Sequence, residues 1–433
     1  MSSTESMGST GGASAPGGVV PIALVGCGGM GRRHLTGIAA LYRSDFRNVD
    51  LMAVCDLNRQ NAEDLAEEAL QQLGKRPVVF TDLREMARQM PEIQAADVVT
   101  DTGTHHRVAT DCLEAGFNVQ CEKPLAITQR GCDLIISTAR RLGKLLTVAE
   151  NYRRDPINRL ARALIQDGAV GTPQLLLETT ISGGSQIFIT PWRHMKLRGT
   201  LAIDAGVHNA DVMQYYLGDA VSVYGEGKLF EKYRYKTDTA GPGGFYAKWG
   251  ASMPDVIEPT GEDALFGYIH FADGVVGQLL FHSGGHGEPT NVRKLFGGKG
   301  SITFPGDRNG RPIKLYLDGG KEVSGEEILD YAPSYRLSPV AAQLFGGERA
   351  WTYSFPFPET DAKIMALEYH ELGECLLTGK APEVSGEVAR RDVALVNAIM
   401  ESGCLGRPVT IAEVEALAVD TYQREMDVAF GLV

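Results

Sequence analysis

The sequence predicts an α/β Rossmann-type domain, a doubly wound parallel sheet, followed by an α+β domain with a large, mainly antiparallel, open-faced sheet. Three observations predict it. Between about residues 20 and 150, short apolar runs alternate regularly with helix-like segments, the mark of parallel strands joined by crossover helices. Between about 173 and 317, strand-like runs follow one another with few helical stretches, which favours antiparallel pairing. At 433 residues, the chain is also too long for one ordinary core.

The first strand is "VVPIALVG" (19–26), followed by the helical "MGRRHLTGIAALYR". "VDLMAVCD" (49–56) is the second strand, and "NRQNAEDLAEEALQQLG" is its helix. "VVF" (78–80), "ADVVT" (96–100), "FNVQCE" (117–122) and "KLLTVAE" (144–150) complete the series. In the second half, "QLLLETTIS", "AVSVYGEG", "ALFGYIHFADGVVGQLLFHSG", "VRKLFGGKGSITF" and "IKLYLDG" read as strands, with the Asp-Gly of "HFADGVVGQ" as a hairpin turn. The expected division is a disordered Gly/Ser-rich tail (1–19), a nucleotide domain (20–150), a substrate and oligomerisation domain (151–415) and a C-terminal tail (416–433). Two long insertions rich in Tyr, Trp, Pro and Gly interrupt the second domain near 229–259 and 331–361.

Composition narrows the function. A net charge of -12 leaves no large basic surface, so neither nucleic acid nor an anionic membrane is an expected partner. No apolar run approaches the roughly 20 residues of a membrane span. The first segment lacks the features of a secretion signal. Cysteines at 27, 55, 112, 121, 132, 375 and 404 form no Cys-x-x-Cys pair, which suits reduced thiols in a cytoplasmic protein. Nine histidines include no His-Glu-x-x-His motif, and no metal site is expected.

Between the first strand and its helix lies Gly26-Cys27-Gly28-Gly29-Met30-Gly31, a GxGxxG. Such spacings arise by chance in a glycine-rich chain; its position after a strand and at a helix start gives it meaning. Gly26 permits the tight turn, Gly28 lets a pyrophosphate approach the backbone, and Gly31 allows close helix packing. Asp56, at the end of the second strand, suits the adenosine ribose hydroxyls and disfavours a 2′-phosphate, so NAD is expected over NADP. Arg59 keeps NADP as the minority option. Gly29, Met30, Leu57, Thr100, Thr102, His105 and Glu122 join the candidate cofactor contacts, in the glycine loop or near strand ends.

"CEKPLA" (121–126) ends the fifth strand. Ligands of open parallel sheets sit beyond the carboxyl ends of the strands, which points Lys123 at the cofactor cleft, with Pro124 restricting its backbone. A solvated surface turn fits the hexapeptide equally well. Asp204 and His208 are four residues apart, on one face of a helix. By themselves they also read as an N-cap and a packed histidine.

"GCGGMGRRH", the acidic end of the second strand, "LEAGFNVQCEKPLA" and "DAGVHNADVMQYYLG" occur in the order typical of the Gfo/Idh/MocA oxidoreductases, which this chain resembles from about residue 20 to 415. "AENYRRDPINRLARALIQDGAVGTP" (149–173) resembles that family's crossover into its second domain, and residues 366–411 resemble its closing helices. The resemblance implies hydride transfer between a ring carbinol of a sugar, sugar derivative or cyclitol and a nicotinamide. His208 is then the acid/base, Asp204 orients its imidazole, and Lys123 assists at the reacting oxygen. It also implies a homodimer or homotetramer formed through the open sheet face. Relatives that oxidise transiently, eliminate an aglycone and return the hydride give the alternative, a redox-neutral glycoside hydrolase or lyase.

Candidate substrate contacts are Tyr152, Arg153, Trp192, Arg193, Asn209 and His282, the last with His286 at the end of a strand. Two departures from the family pattern stand out. Asp101 follows Thr100 where the family carries proline, and either reaches the nicotinamide region or caps the next helix. Arg198 and Thr200 stand where small residues are common. Oxidation is expected to rise with pH as an imidazole of ordinary pKa deprotonates.

Overall fold

The computed structural model describes residues 18–237 and 244–433. All but the last two residues of the expected N-terminal tail, and the middle of the first insertion, lie outside the described residues. The first lobe runs β1 (Val20–Val25), α1 (Gly29–Tyr42), β2 (Val49–Cys55), α2 (Arg59–Leu73), β3 (Val78–Phe80), α3 (Leu83–Gln89), β4 (Ala95–Val98), α4 (His105–Glu114), β5 (Asn118–Glu122), α5 (Gln129–Leu142) and β6 (Leu146–Ala149). Its six strands lie in the order β3-β2-β1-β4-β5-β6, all parallel. Strands covered on both faces need apolar side chains throughout, and Ile22, Ala23 and Leu24 are fully buried. The strand order reverses between β1 and β4, where doubly wound sheets open a crevice at their carboxyl ends.

The chain then passes through α6 (Pro156–Gln166), capped by Asp155 with proline at its first position. The second lobe continues with β7 (Pro173–Gly183), α7 (Leu201–Leu217), β8 (Ala220–Lys228), β9 (Arg234–Tyr235), β10 (Val256–Ile257), β11 (Ala264–Phe271), β12 (Val276–Gly285), β13 (Thr290–Gly297), β14 (Gly300–Phe304), β15 (Lys314–Leu317) and β16 (Lys321–Val323). After these come α8 (Pro339–Phe345), α9 (Phe357–Thr378), α10 (Gly386–Leu405), β17 (Val409–Thr410), α11 (Ile411–Glu415) and α12 (Arg424–Phe430). Nine strands form one sheet, β16-β15-β14-β13-β7-β12-β11-β8-β17, antiparallel except where β7 meets β12. One face packs on α7 and α10. Ile399 of α10 lies so close to Gly225 and Gly267 that a β-carbon at either glycine would crowd it. The other face presents Val221, Tyr224, Tyr268 and Val292 to solvent. No helix among the described residues is long and apolar enough to cross a membrane.

One expectation changes. Residues 416–433 are not a tail: Val419, Tyr422 and Met426 are buried. Arg130 pairs with Asp420 at 2.8 Å, and Phe430 packs on His106 with ring centroids 4.6 Å apart. The insertions are folded where described. The second carries α8 and an aromatic cluster of Phe345, Tyr353 and Phe355. The first contributes β9, β10 and a 3-10 turn over Ala247–Ser252.

Candidate active site

The crevice beyond β1, β2 and β4 is a cleft of about 800 Å³ lined by Gly26, Gly28, Gly29, Met30, Asp56 and Leu57, with Thr100 on the far wall. Gly26 holds φ +106°, and a β-carbon there would meet the Val99 carbonyl at 2.8 Å. Gly31 lies beneath the cleft, where a side chain would overlap the Gly26 carbonyl. α1 starts without a side-chain cap and without an acidic residue in its first turn, so its free N–H groups and positive end face the cleft. A β-carbon on Gly28 would meet nothing within 4 Å. Asp56 accepts the Cys27 N–H on one oxygen and the Asn58 N–H on the other, each at 2.7 Å. That leaves a lone pair on each oxygen for a diol. These features fit an adenine dinucleotide. Arg59, the first residue of α2, pairs with Glu63 at 3.3 Å on the exposed side of the helix and is not part of the cleft lining.

A smaller cavity of about 150 Å³ adjoins the cleft, with Met30, Thr100 and Trp192 on both linings. Lys123, Asp204, His208, Tyr152 and Arg193 meet here, and Thr102, His105 and Glu122 complete the wall beside them. The Lys123–Pro124 peptide bond is cis. The lysine Nζ donates to the Asp204 backbone oxygen at 2.8 Å and to its carboxylate at 3.0 Å. Arg193 Nε reaches the other carboxylate oxygen at 3.2 Å. Burial alone would raise the Asp204 pKa, but Lys123 and Arg193 outweigh it and hold the group well below the usual carboxylate range.

Asp204 therefore serves the lysine, not the imidazole. His208 Nδ1 lies 2.7 and 2.8 Å from the two oxygens of Glu150, at the carboxyl end of β6. One turn along α7 brings Asp204 beside His208 in projection, yet its carboxylate turns to the two cations, and the buried Glu150 takes the ring nitrogen. Burial, then the neighbouring Lys123 and Arg308, depress the imidazole pKa well below its usual value, so the ring is neutral near pH 7. Burial pushes Glu150 up to about 7. With Nδ1–H donated to Glu150, Nε2 carries the lone pair. Tyr152 stacks on the imidazole, centroids 4.1 Å apart and planes 4° apart, fixing the ring plane.

Behind the lysine lies a second network. Glu122 accepts the Lys123 N–H at 2.8 Å and contacts His34 Nε2 at 3.0 Å. His34 Nδ1 lies 2.8 Å from Asp97, which also accepts the Tyr369 hydroxyl. All four side chains are buried. Burial opposes charge on His34, but Asp97 and Glu122 outweigh it and hold its pKa well above the usual value. The network anchors the backbone from which the lysine projects.

Three candidate substrate residues face elsewhere. Arg153 donates Nε to both oxygens of the fully buried Asp211, at 2.9 and 3.0 Å; in the 3-10 turn over Tyr152–Arg154, neighbours point about a third of a turn apart. Asn209 is buried on the adjacent side of α7, outside the cavity lining. His282 sits within β12 with its ring against Phe230, centroids 5.0 Å apart, and His286 is exposed beside Glu231.

The two departures from the family pattern bond to each other: the Asp101 carboxylate accepts the Gly103 N–H at 3.0 Å and also pairs with Arg198. Asp101 thus caps the 3-10 turn before α4 and links the lobes at the cleft mouth. The first insertion adds a cover. The Tyr246 ring lies so close to Gly29 that any β-carbon there would overlap it, while Lys248 pairs with Asp64 and Arg32 lies 5.3 Å from the Trp249 ring.

Sequence reasoning singled out neither Glu150 nor the contributions of His34, Arg33, Arg308 and Tyr246. Glu150 alone carried a legible signal, a carboxylate at the end of a parallel strand in "LTVAEN".

A family model described as an oxidoreductase family with an NAD-binding Rossmann fold matches residues 20–150, and one for the family's C-terminal alpha/beta domain matches 178–411. The chain is similar to a levoglucosan dehydrogenase of Pseudarthrobacter phenanthrenivorans, 27% identical over 405 residues, covering 91% of this chain and 99% of the relative. It is similar also to a myo-inositol 2-dehydrogenase of Thermotoga maritima, 23% identical over 394 residues, covering 90% and 99%. Among solved structures, an oxidoreductase domain protein from Kribbella flavida superposes with a TM-score of 0.71 at 22% identity, covering 91% of this chain and 99% of that one. A levoglucosan dehydrogenase complex with NADH and L-sorbose gives 0.68 at 22%, covering 90% and 98%. With both of its domains matched in order across most of its length, the chain belongs to the Gfo/Idh/MocA oxidoreductase family.

Proposed function

We propose that this oxidoreductase is an NAD-dependent dehydrogenase acting on a ring carbinol of a single-ring sugar, sugar derivative or cyclitol. NAD, held by Gly28, the start of α1 and Asp56, supplies the hydride acceptor. His208 Nε2 takes the hydroxyl proton as hydride leaves the same carbon, and in the reverse direction it returns that proton. Glu150 fixes the tautomer that leaves Nε2 free and stabilises the imidazolium as it forms. The Lys123 ammonium, braced by Asp204, donates to the reacting oxygen and favours its developing negative charge. The observation that carries this reading is His208 held on Glu150 beside Lys123, in a cavity that shares a wall with the glycine-loop cleft. A volume of about 150 Å³ suits one ring. Names of the relatives, among them levoglucosan and myo-inositol dehydrogenases, support the substrate class.

NAD is the expected coenzyme over NADP, because a 2′-phosphate would meet the Asp56 carboxylate while Arg59 is engaged with Glu63. The exposed face of the nine-stranded sheet is the surface for a homodimer or homotetramer, to be read by light scattering. The deciding assay is absorbance at 340 nm with NAD and, separately, NADP across aldoses, inositols and glycosides. Reduced cofactor on one class establishes the dehydrogenase. Tyr246 over Gly29 favours a second reading, in which a retained cofactor serves redox-neutral glycoside cleavage. Released aglycone without net NADH, together with NAD that survives purification, would move the protein there.

A further inference from the structure

Only three non-glycine residues among those described hold positive φ, and two of them, Ile189 (φ 61°) and Arg308 (φ 53°), line the small cavity. The left-handed conformation is sterically unfavourable for L-amino acids, and for a β-branched residue such as Ile189 it is a genuine outlier. Such strain concentrates where a side chain is held for a purpose. At Arg308, the hold is explicit. Its backbone N–H donates to Asp155 at 2.6 Å, and the preceding Asp307 is clamped by Arg293 at 2.6 and 3.0 Å. Glycines at 306 and 310 flank it, so a glycine at this position would lie within the loop's own composition. The strain is carried by arginine instead.

The guanidinium is not consumed by its surroundings. Asp361 is shared between Arg33 and Arg308. Arg33 takes it through Nε and Nη2 at 2.9 and 2.7 Å, whereas Arg308 gives it one bond, from Nη1 at 3.0 Å. The only other hydrogen bond of the Arg308 guanidinium among the described residues is a long one, 3.4 Å, to the Tyr152 hydroxyl; Nε has no acceptor. The carbon of the guanidinium stands 4.9 Å from the Tyr152 ring that stacks on His208. Four cations line the cavity (Arg33, Lys123, Arg193 and Arg308). The carboxylates paired with them or lining the wall are Glu122, Asp204 and Asp361. Glu150 behind His208 adds only part of a charge near neutrality, and behind Glu122 the His34 cation offsets Asp97. A chain of net charge -12 thus lines this cavity with four cationic side chains and two carboxylates, Glu122 and Asp204.

We propose that the substrate ring bears a carboxylate and that Arg308 is its recognition residue: the enzyme acts on a sugar acid in preference to the neutral sugar. The planar guanidinium edge matches a carboxylate, and the cavity is small for the bulkier phosphate ester. The inference rests on the dehydrogenase reading of the same site, and the test separates the two. NAD-loaded protein is titrated by calorimetry with D-glucuronate, D-glucose and D-glucose 6-phosphate, and NADH formation is followed on the same three and on the galactose and galacturonate pair. The expected result is binding and kcat/KM at least tenfold stronger for the acid than for its neutral partner. Arg308→Gln should raise KM for the acid tenfold or more while changing kcat less, and Arg308→Lys should recover part of that loss. Equal or better use of the neutral sugar, preference for the phosphate, or a loss in Arg308→Gln that is the same for both members of a pair would overturn the proposal. Absence of NADH on every compound would count against the dehydrogenase alone. Binding of the acid over the neutral sugar, lost in Arg308→Gln, would still uphold the role of Arg308, and its absence would overturn it.

Discussion

The cofactor cleft and the substrate cavity share a wall at Met30, Thr100 and Trp192, yet they are made of different material. The cleft is largely backbone: a glycine turn, the open end of a helix and one strand-end carboxylate, all within a stretch of about thirty residues. The cavity is side chain throughout. Arg33, Lys123, Glu150, Arg193, Asp204, His208, Arg308 and Asp361 come from segments scattered across the chain and hold one another through ion pairs. A backbone site tolerates change until something fills it. A site of paired charges loses several functions when one partner goes.

The sharpest way to break the cavity is through its two chemical groups. Lys123→Ala should lower kcat by about 10²–10³, and His208→Ala by about 10²–10⁴. In both, the affinity for NAD should change far less, as measured by fluorescence titration. If either variant loses NAD binding and keeps kcat, the residue belongs to the cleft and the division fails.

Next comes Glu150. Because burial and cations hold the His208 pKa low, the imidazole is already deprotonated through the neutral range, and the expected rise of oxidation moves to Glu150. Below about pH 7 this carboxyl is protonated and cannot stabilise the imidazolium. Above it, the charge is present, so kcat/KM for oxidation should climb through about 7. Glu150→Gln should remove that step and lower kcat by about 10–10³. A step at 7 that persists in the variant assigns it to another group.

The cleft is broken by filling it. Gly29→Ala collides with Tyr246, so it should displace the cover and weaken NAD binding. Tyr246→Ala should weaken NAD by about tenfold, roughly the contribution of one packed aromatic contact, with kcat on a saturating substrate nearly unchanged. Smallest of all is the inter-lobe pair at the cleft mouth. Asp101→Ala or Arg198→Ala removes a bond in which the arginine side chain is 50% exposed, and should alter stability by no more than about 1 kcal/mol in denaturant titration.

The same contrast explains what could be read in advance. Strand ends, the glycine loop and Asp56 were legible because parallel strands and phosphate-binding turns impose local patterns, and the strands appear within two residues of their expected bounds. Lys123 and His208 were legible through motif order. The partner of His208 was not, because i and i+4 spacing pointed to Asp204, while the actual contact joins residues 58 apart. Arg153 and Asn209 were misassigned for a related reason: one position along a 3-10 turn or a helix changes the direction of a side chain entirely. The packed C-terminal segment was visible in its apolar residues Val419, Tyr422 and Met426, but its brevity hid it.

α9 belongs to the second lobe by chain order, yet it lies against α1. Met365 comes so near Gly37 that a β-carbon there would stand 2.5 Å from its own, and Tyr369 reaches Asp97 in β4. The nucleotide-binding unit is therefore completed by residues from the far end of the chain. A chimera made by exchanging residues 20–150 with those of a relative would strip this helix of its matching groove, and would leave His34 and Asp97 without the phenol that closes their circuit. Swaps of coenzyme preference between relatives should carry α9 along with the glycine loop, so the exchangeable module is discontinuous in sequence.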